Sequence, residues 1–271
     1  MPSIFSKDST TNIDLPKFDS LLVKGSYPPS APIHLCLSHI AESGPSHSAV
    51  ILTPSKEQWQ GALLAENDPW LQRNSGTGTV AALSRRINVL YPPTPHHMVF
   101  LLSMFHAADP SSDPSWSTKT TFPTPPSLIV LHELSSYFTS GTEAAASSQP
   151  TLSSYLDLVV NALAAASSLS KHPSNGTSTR VSLALFDSGM DTLRLPILKV
   201  PRLSHPHIGV PGEEPDEPRV EAVYQFVRKY FEFILELTLE DRDEAPPSST
   251  APARKSARLL QKDQLISEII M

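Results

Sequence analysis

Residues 126–138, PSLIVLHELSSYF, constrain this chain more than any other stretch. Leu128, Ile129, Val130 and Leu131 are apolar without interruption, so a strand built from them has no face to give to water. Such a short continuous run is the pattern of a strand buried on both sides in a parallel sheet. A Pro-rich segment precedes it, and the polar pair His132-Glu133 ends it.

The rest of the chain supplies partners for that strand. Residues 33–37 (IHLCL) read as a first strand, 49–52 (AVIL) as a second, 87–90 (INVL) as a third and 181–186 (VSLALF) as another buried one. Helical patterns fall at 55–64, 96–106, 152–169 and 219–230, and 81–86 suits one helical turn or more. Residues 231–241, FEFILELTLED, alternate with Phe231, Phe233, Leu235, Leu237 and Leu239 on one side; this predicts a half-buried strand at the sheet edge. Residues 65–79 read as loop, and 171–179 as a turn around Asn175-Gly176. Strands alternating with helices argue an α/β fold: a mostly parallel central sheet flanked by helices, with an antiparallel C-terminal edge. The domain is expected over 32–271, after an irregular arm at 1–31. The 27 prolines and many serines cluster between apolar runs, which predicts disordered insertions near 107–126, 139–150, 201–218 and 242–253.

Composition narrows the partners and the compartment. A net charge of −6 gives no global basic field for nucleic acid, so any DNA contact must be local or made through a partner. Cys36 is the single cysteine, which excludes an internal disulfide and favours a reducing compartment. No apolar run reads as approaching the roughly 20 residues that span a bilayer. The N-terminus lacks the charged-then-apolar layout of a signal peptide.

A buried strand that ends in an acid is also where nucleotide-binding α/β proteins handle Mg²⁺. Here His132 takes the first polar position and Glu133 the next. The companion element is a phosphate loop, G-x-x-x-x-G-K-[ST], whose N–H groups and Lys hold the phosphates. None of the ten glycines is followed by Lys. Its expected place, just after the first strand, is 38–48, which contains Gly44 and Ser48 but no Lys. No cofactor is therefore expected, and ATP hydrolysis is disfavoured.

Three blocks in order give a resemblance. The first is GTGT at 76–79 followed by RRINVLYPPTPHHMVFLLSMFH at 85–106; the second is PSLIVLHELSSYF. The third is VEAVYQFVRKYFEFILELTLED at 220–241, followed by ARKSARLLQKDQLISEII at 253–270. This arrangement resembles the RecA-type recombination core, and within it the small ATPase-like subunits that partner a SWIM-domain zinc protein in Shu-type complexes. The last block looks like that family's closing hairpin, with basic residues on the return strand. The chain departs from the family at its Walker A Lys, which has no counterpart, and at its Walker B Asp, where His132 stands. The resemblance implies a nuclear, non-catalytic subunit that supports homologous-recombination DNA repair through contacts with a SWIM-domain protein and a recombinase. Two alternatives stay open: an active NTPase with an atypical phosphate loop at 38–48, using Ser48 and Glu133, and an unrelated α/β scaffold.

Glu133 is expected to face solvent at a strand end, and His132 to be a hydrogen-bonded strand-end histidine. His96-His97 and His205-Pro206-His207 lack the partners of a zinc site. Asp187-Ser188-Gly189 reads as a turn at the sheet's carboxyl end, where ligands bind in open α/β folds. Arg254, Lys255 and Arg258 are candidate contacts to DNA phosphate, although three cations in a polar tail are more often simply solvated.

Overall fold

A computed structural model describes residues 2–5, 15–108, 120–139, 150–171, 173–174, 177–178, 180–197, 219–240, 254–262 and 264–270. The expected insertions at 201–218 and 242–253, almost all of that at 139–150 and residues 109–119 of that at 107–126 lie outside the described residues. In chain order the elements are β1 (Ser20–Gly25), α1 (Ala31–Ser43), β2 (Ala49–Leu52), α2 (Lys56–Glu66), α3 (Pro69–Asn74), α4 (Gly78–Ser84), β3 (Ile87–Leu90) and α5 (Pro95–Ser103). Then come β4 (His106–Ala107), β5 (Thr121–Phe122), β6 (Leu128–His132), α6 (Ser136–Thr139), α7 (Leu152–Ser170), β7 (Pro173–Ser174), β8 (Thr177–Ser178) and β9 (Ser182–Asp187). The chain closes with β10 (Arg194–Pro196), β11 (Val220–Ala222), α8 (Tyr224–Val227), a 3₁₀ turn (Arg228–Tyr230), β12 (Phe233–Glu240), β13 (Arg254–Gln261) and β14 (Gln264–Ile270).

Eight of these strands form one sheet in the order β14-β13-β12-β1-β9-β6-β2-β3. All neighbours from β12 to β3 are parallel, while β13 and β14 add an antiparallel edge. The chain is thus α/β, with a large, mostly parallel sheet flanked by helices.

The apolar run works as its composition demands. Every residue of β6 is buried. Leu128 and Val130 enter the layer that holds Leu35, Ile40 and Trp59, while Ile129 and Leu131 enter the layer of Met98, Tyr155 and Val159. Burying an aliphatic side chain fully is worth about 1.5–3 kcal/mol, so the four apolar residues of this strand together contribute roughly 6–12 kcal/mol. α7 is long and apolar enough to cross a membrane by length and composition, contrary to the reading that no run comes close. Leu158, Val159, Ala162 and Ala166 nonetheless bury one face of it against β9 and α5.

Several sequence expectations are corrected. Residues 1–31 are not wholly an irregular arm, since 20–25 form β1, an interior strand with Leu21, Leu22 and Val23 buried. The segment 33–37 is not a strand but the start of α1, with Pro32 in the first turn where its missing N–H costs nothing. Residues 65–79 contain α3 and the start of α4 instead of a plain loop. Only the first part of 96–106 is helical, because His106 leaves α5 for a short ladder with Thr121. The predicted helix at 219–230 is split into β11, α8 and the 3₁₀ turn. The alternating strand β12 is also not the sheet edge. Its second face is occupied: Ile234 packs in the core, and Glu236 accepts from the Tyr224 hydroxyl at 3.1 Å and pairs with Lys24 at 3.3 Å.

Candidate functional site

β1, β2, β6 and β9 are mutually parallel, so the turns leaving their carboxyl ends gather on one side of the sheet. Between those turns lies a cleft of about 270 Å³ lined by Tyr27, Thr53, Trp59, His132, Glu133 and Ser188, among others.

The first wall is the turn from β1 into α1. Gly25 has φ of 87°, and a Cβ there would sit 2.0 Å from the carbonyl oxygen of Leu237. Glycine is required because β12 approaches too closely for any side chain, and the next N–H, of Ser26, donates to that same carbonyl at 2.9 Å. Ser26, Tyr27, Pro28, Pro29 and Ser30 then lead into α1. This is a strand–loop–helix unit with the spacing of G-x-x-x-x-G-K-[ST] counted from Gly25. Ser30, Ala31 and Pro32 occupy the positions of the second Gly, the Lys and the Ser/Thr.

Phosphate binding on such a turn needs free N–H groups at the helix start. Here Ala31 N–H donates to Pro28 O at 2.8 Å, Ile33 and His34 N–H both donate to Ser30 O at 3.0 Å, and Pro32 has none. The remaining donor, Ser30 N–H, goes to Glu66 Oε2 at 2.9 Å, and Ser30 Oγ donates to Glu66 Oε1 at 3.2 Å. A carboxylate from the end of α2 therefore sits where an anion would dock. Burial pushes the Glu66 carboxyl above its ordinary range, against the two bonds from Ser30. Trp59 fastens α2 to the same loop by donating its indole N–H to Pro29 O at 3.1 Å.

The second wall is the end of β6. His132 is 5% exposed, and its Nδ1 lies 3.0 Å from Thr53 Oγ1, as expected of a hydrogen-bonded strand-end histidine. Its ring lies 5.2 Å from that of Trp59. Burial lowers its pKa to about 3, so it is neutral across the physiological range. Glu133 does not project freely into solvent as anticipated. It is half-buried, with φ of 53°, a left-handed backbone uncommon outside glycine and the Asn/Asp class. Its carboxylate accepts from the Tyr27 hydroxyl, from Ser188 Oγ at 2.9 Å and from Ser188 N–H at 3.2 Å. Burial and the Glu133 carboxylate raise the Tyr27 pKa well above its usual value, which keeps the hydroxyl protonated as a donor.

Behind Glu133, Asp187 ends β9 with no exposure to solvent. It accepts from Tyr155 Oη at 2.6 Å, Ser135 N–H at 2.9 Å and Gly189 N–H at 3.1 Å. Burial, then repulsion from Glu133, raises its pKa to about 6. The Asp187-Ser188-Gly189 turn thus lies at the carboxyl end of the sheet, as its sequence suggested, and Ser188 lines the cleft.

The other sequence candidates lie elsewhere. Residues 38–48 run from α1 into the amino end of β2, so they are not a strand-to-helix loop, and Ser48 is at the opposite end of the sheet from Glu133. His96 and His97 are in the exposed first turn of α5, where His97 Nδ1 meets Thr94 Oγ1 at 2.8 Å. His205 and His207 lie outside the described residues. Among the described residues, no three His, Cys, Asp or Glu side chains converge as metal ligands would. Arg254 and Lys255 stand in β13 opposite Glu240 and Leu239, and Arg258 pairs with Glu268 at 2.6 Å. Tyr27, Ala31, Pro32 and Glu66 went unrecognised in the sequence because β1 itself did. The signal was Leu21-Leu22-Val23 followed by Lys-Gly and a Pro-rich helix start.

Comparison with protein-family models finds no match, and comparison with curated proteins finds none either.

Proposed function

We propose that this chain is a RecA-like subunit without ATP chemistry, supporting homologous-recombination DNA repair in the nucleus through contacts with a SWIM-domain zinc protein and a recombinase. The observation that carries the non-catalytic part is the β1–α1 turn. Its Lys and Ser/Thr positions hold Ala31 and Pro32, and its helix start is filled by Glu66. ATP turnover depends on positioned charge around the phosphates, and a carboxylate in that place repels them. The RecA-type part draws on the resemblance of the three sequence blocks. It calls for 128–131 central and 231–239 near the edge; β6 is third from the β3 end of the sheet and β12 third from the β14 end. The basic return strand of that resemblance is the segment of β13, which runs antiparallel to β12 and carries Arg254, Lys255 and Arg258. An active NTPase using 38–48 finds no support, since that segment faces away from Glu133.

The test is a pull-down of the tagged full-length chain from cells of its own species after DNA damage. Recovery of a SWIM-domain zinc protein together with a recombinase is expected. Recovery of neither, from cells in which both are expressed, overturns the recombination role.

A further inference from the structure

We propose that the cleft at the carboxyl ends of β1, β2, β6 and β9 is a binding site for a small organic cation, an alkylammonium or guanidinium group. The inference does not depend on the role in recombination.

Three observations define the ligand. First, Glu133 is the only formally charged side chain in the lining, which includes no Lys or Arg among the described residues. Asp187 stands behind it, and the Glu133 carboxylate disfavours ionisation of the Asp187 carboxyl. His132 adds no positive charge, because burial holds it neutral. The amino end of α2 opens nearby, but a helix end carries about half a charge at most. It is also capped already by Ser55 Oγ, which accepts from Gln58 N–H at 3.2 Å. The cleft therefore carries net negative potential, hostile to phosphate and attractive to a cation.

Second, the walls around that carboxylate are aromatic. Trp59, Tyr27 and His132 all line the cleft, with the His132 ring 5.2 Å from Trp59 and 6.2 Å from Tyr27. Aromatic rings beside a carboxylate are the chemistry that recognises ammonium and guanidinium groups, through cation–π attraction and charge-assisted hydrogen bonds. Third, the size fits. The volume of about 270 Å³ falls just below the roughly 300 Å³ at which pockets for drug-sized ligands begin. It admits a side-chain-sized group.

Such a cation has two sources, a free small molecule or the Lys or Arg side chain of a partner protein. The experiment is an NMR titration of the full-length protein that follows the Trp59 indole N–H. The ligands are methylguanidinium chloride, tetramethylammonium chloride, the peptide acetyl-Gly-Arg-Gly-amide and sodium phosphate. Saturable shifts with a cation and none with phosphate are expected. Equal affinity for methylguanidinium and the peptide indicates a free metabolite, and stronger binding of the peptide indicates a partner's side chain. Glu133→Gln keeps the acceptor for Tyr27 and removes the charge; it should weaken binding at least about tenfold. Because Glu133 also holds the turn, Gln58→Lys is the second variant. It adds a positive charge from an exposed rim position and should weaken binding to a similar degree in a folded protein. Failure of every cation to shift the signal overturns the proposal, as does phosphate binding in their place or cation binding unchanged in Gln58→Lys.

Discussion

Asp187 makes the buried carboxyl end of the sheet sensitive to pH, and Asp187→Asn isolates that effect. The carboxyl is fully buried, and its pKa stands at about 6 against an ordinary 3.8. Between those two values the folded protein holds a proton that the unfolded chain has released, so stability falls as pH rises through that window. Each pKa unit is worth about 1.4 kcal/mol, so the full penalty above pH 6 is roughly 3 kcal/mol, absent below pH 4. His132 acts in the opposite direction. Its folded pKa of about 3 lies below its ordinary 6.5, so its contribution to stability is lost as pH falls below that ordinary value. Both proteins carry His132, and the difference between them removes it. Urea unfolding of the wild type and Asp187→Asn at pH 4, 5, 6 and 7 is the assay. The wild type should gain on the variant by up to about 3 kcal/mol on going from pH 7 to pH 4. Repulsion from Glu133 contributes to the raised pKa, so the same comparison in a Glu133→Gln background should show a shallower slope. Parallel stability profiles, or a gain toward high pH, would refute the claim that Asp187 is a penalised buried acid.

Two further substitutions probe the β1–α1 turn. Gly25→Ala places a methyl group 2.0 Å from Leu237 O at a positive φ, so it should cost about 3 kcal/mol or more and lower the melting temperature sharply; wild-type melting would mean that β12 is not packed as described. Glu66→Ala removes the acceptor of Ser30 N–H and Oγ and should lower stability by about 1 kcal/mol in urea titration, whereas an unchanged midpoint would show that this cap is not formed in solution.

The sheet was legible in the sequence wherever a strand is apolar on both faces. β6 and β9 are such runs, and the folded protein buries every residue of both. β1 was hidden because it ends in Lys24-Gly25 and follows a Pro-dotted polar segment; only its central Leu21-Leu22-Val23 carries the pattern. The apolar run IHLCL was mistaken for a strand because five apolar-rich residues fit a buried helix equally well. The informative signal was Pro32, favoured in a helix's first turn. Missing β1 moved the expected phosphate loop to 38–48 and concealed Ala31 and Pro32. The Glu66–Ser30 contact could not be read at all, since it joins residues far apart in sequence through the packing of α2. β12 showed its alternation plainly, but Glu236 faces Tyr224 and Lys24 instead of water, a pairing that no periodicity encodes.

With Glu66 on Ser30 and no Lys beside it, the turn from β1 into α1 should hold no phosphate. Titration of the full-length protein with a fluorescent ATP analogue and Mg²⁺, up to millimolar nucleotide, tests it directly. The account predicts no saturable binding, for the wild type and for Glu66→Ala alike. Saturable binding to the wild type that is lost in Glu133→Gln would contradict it.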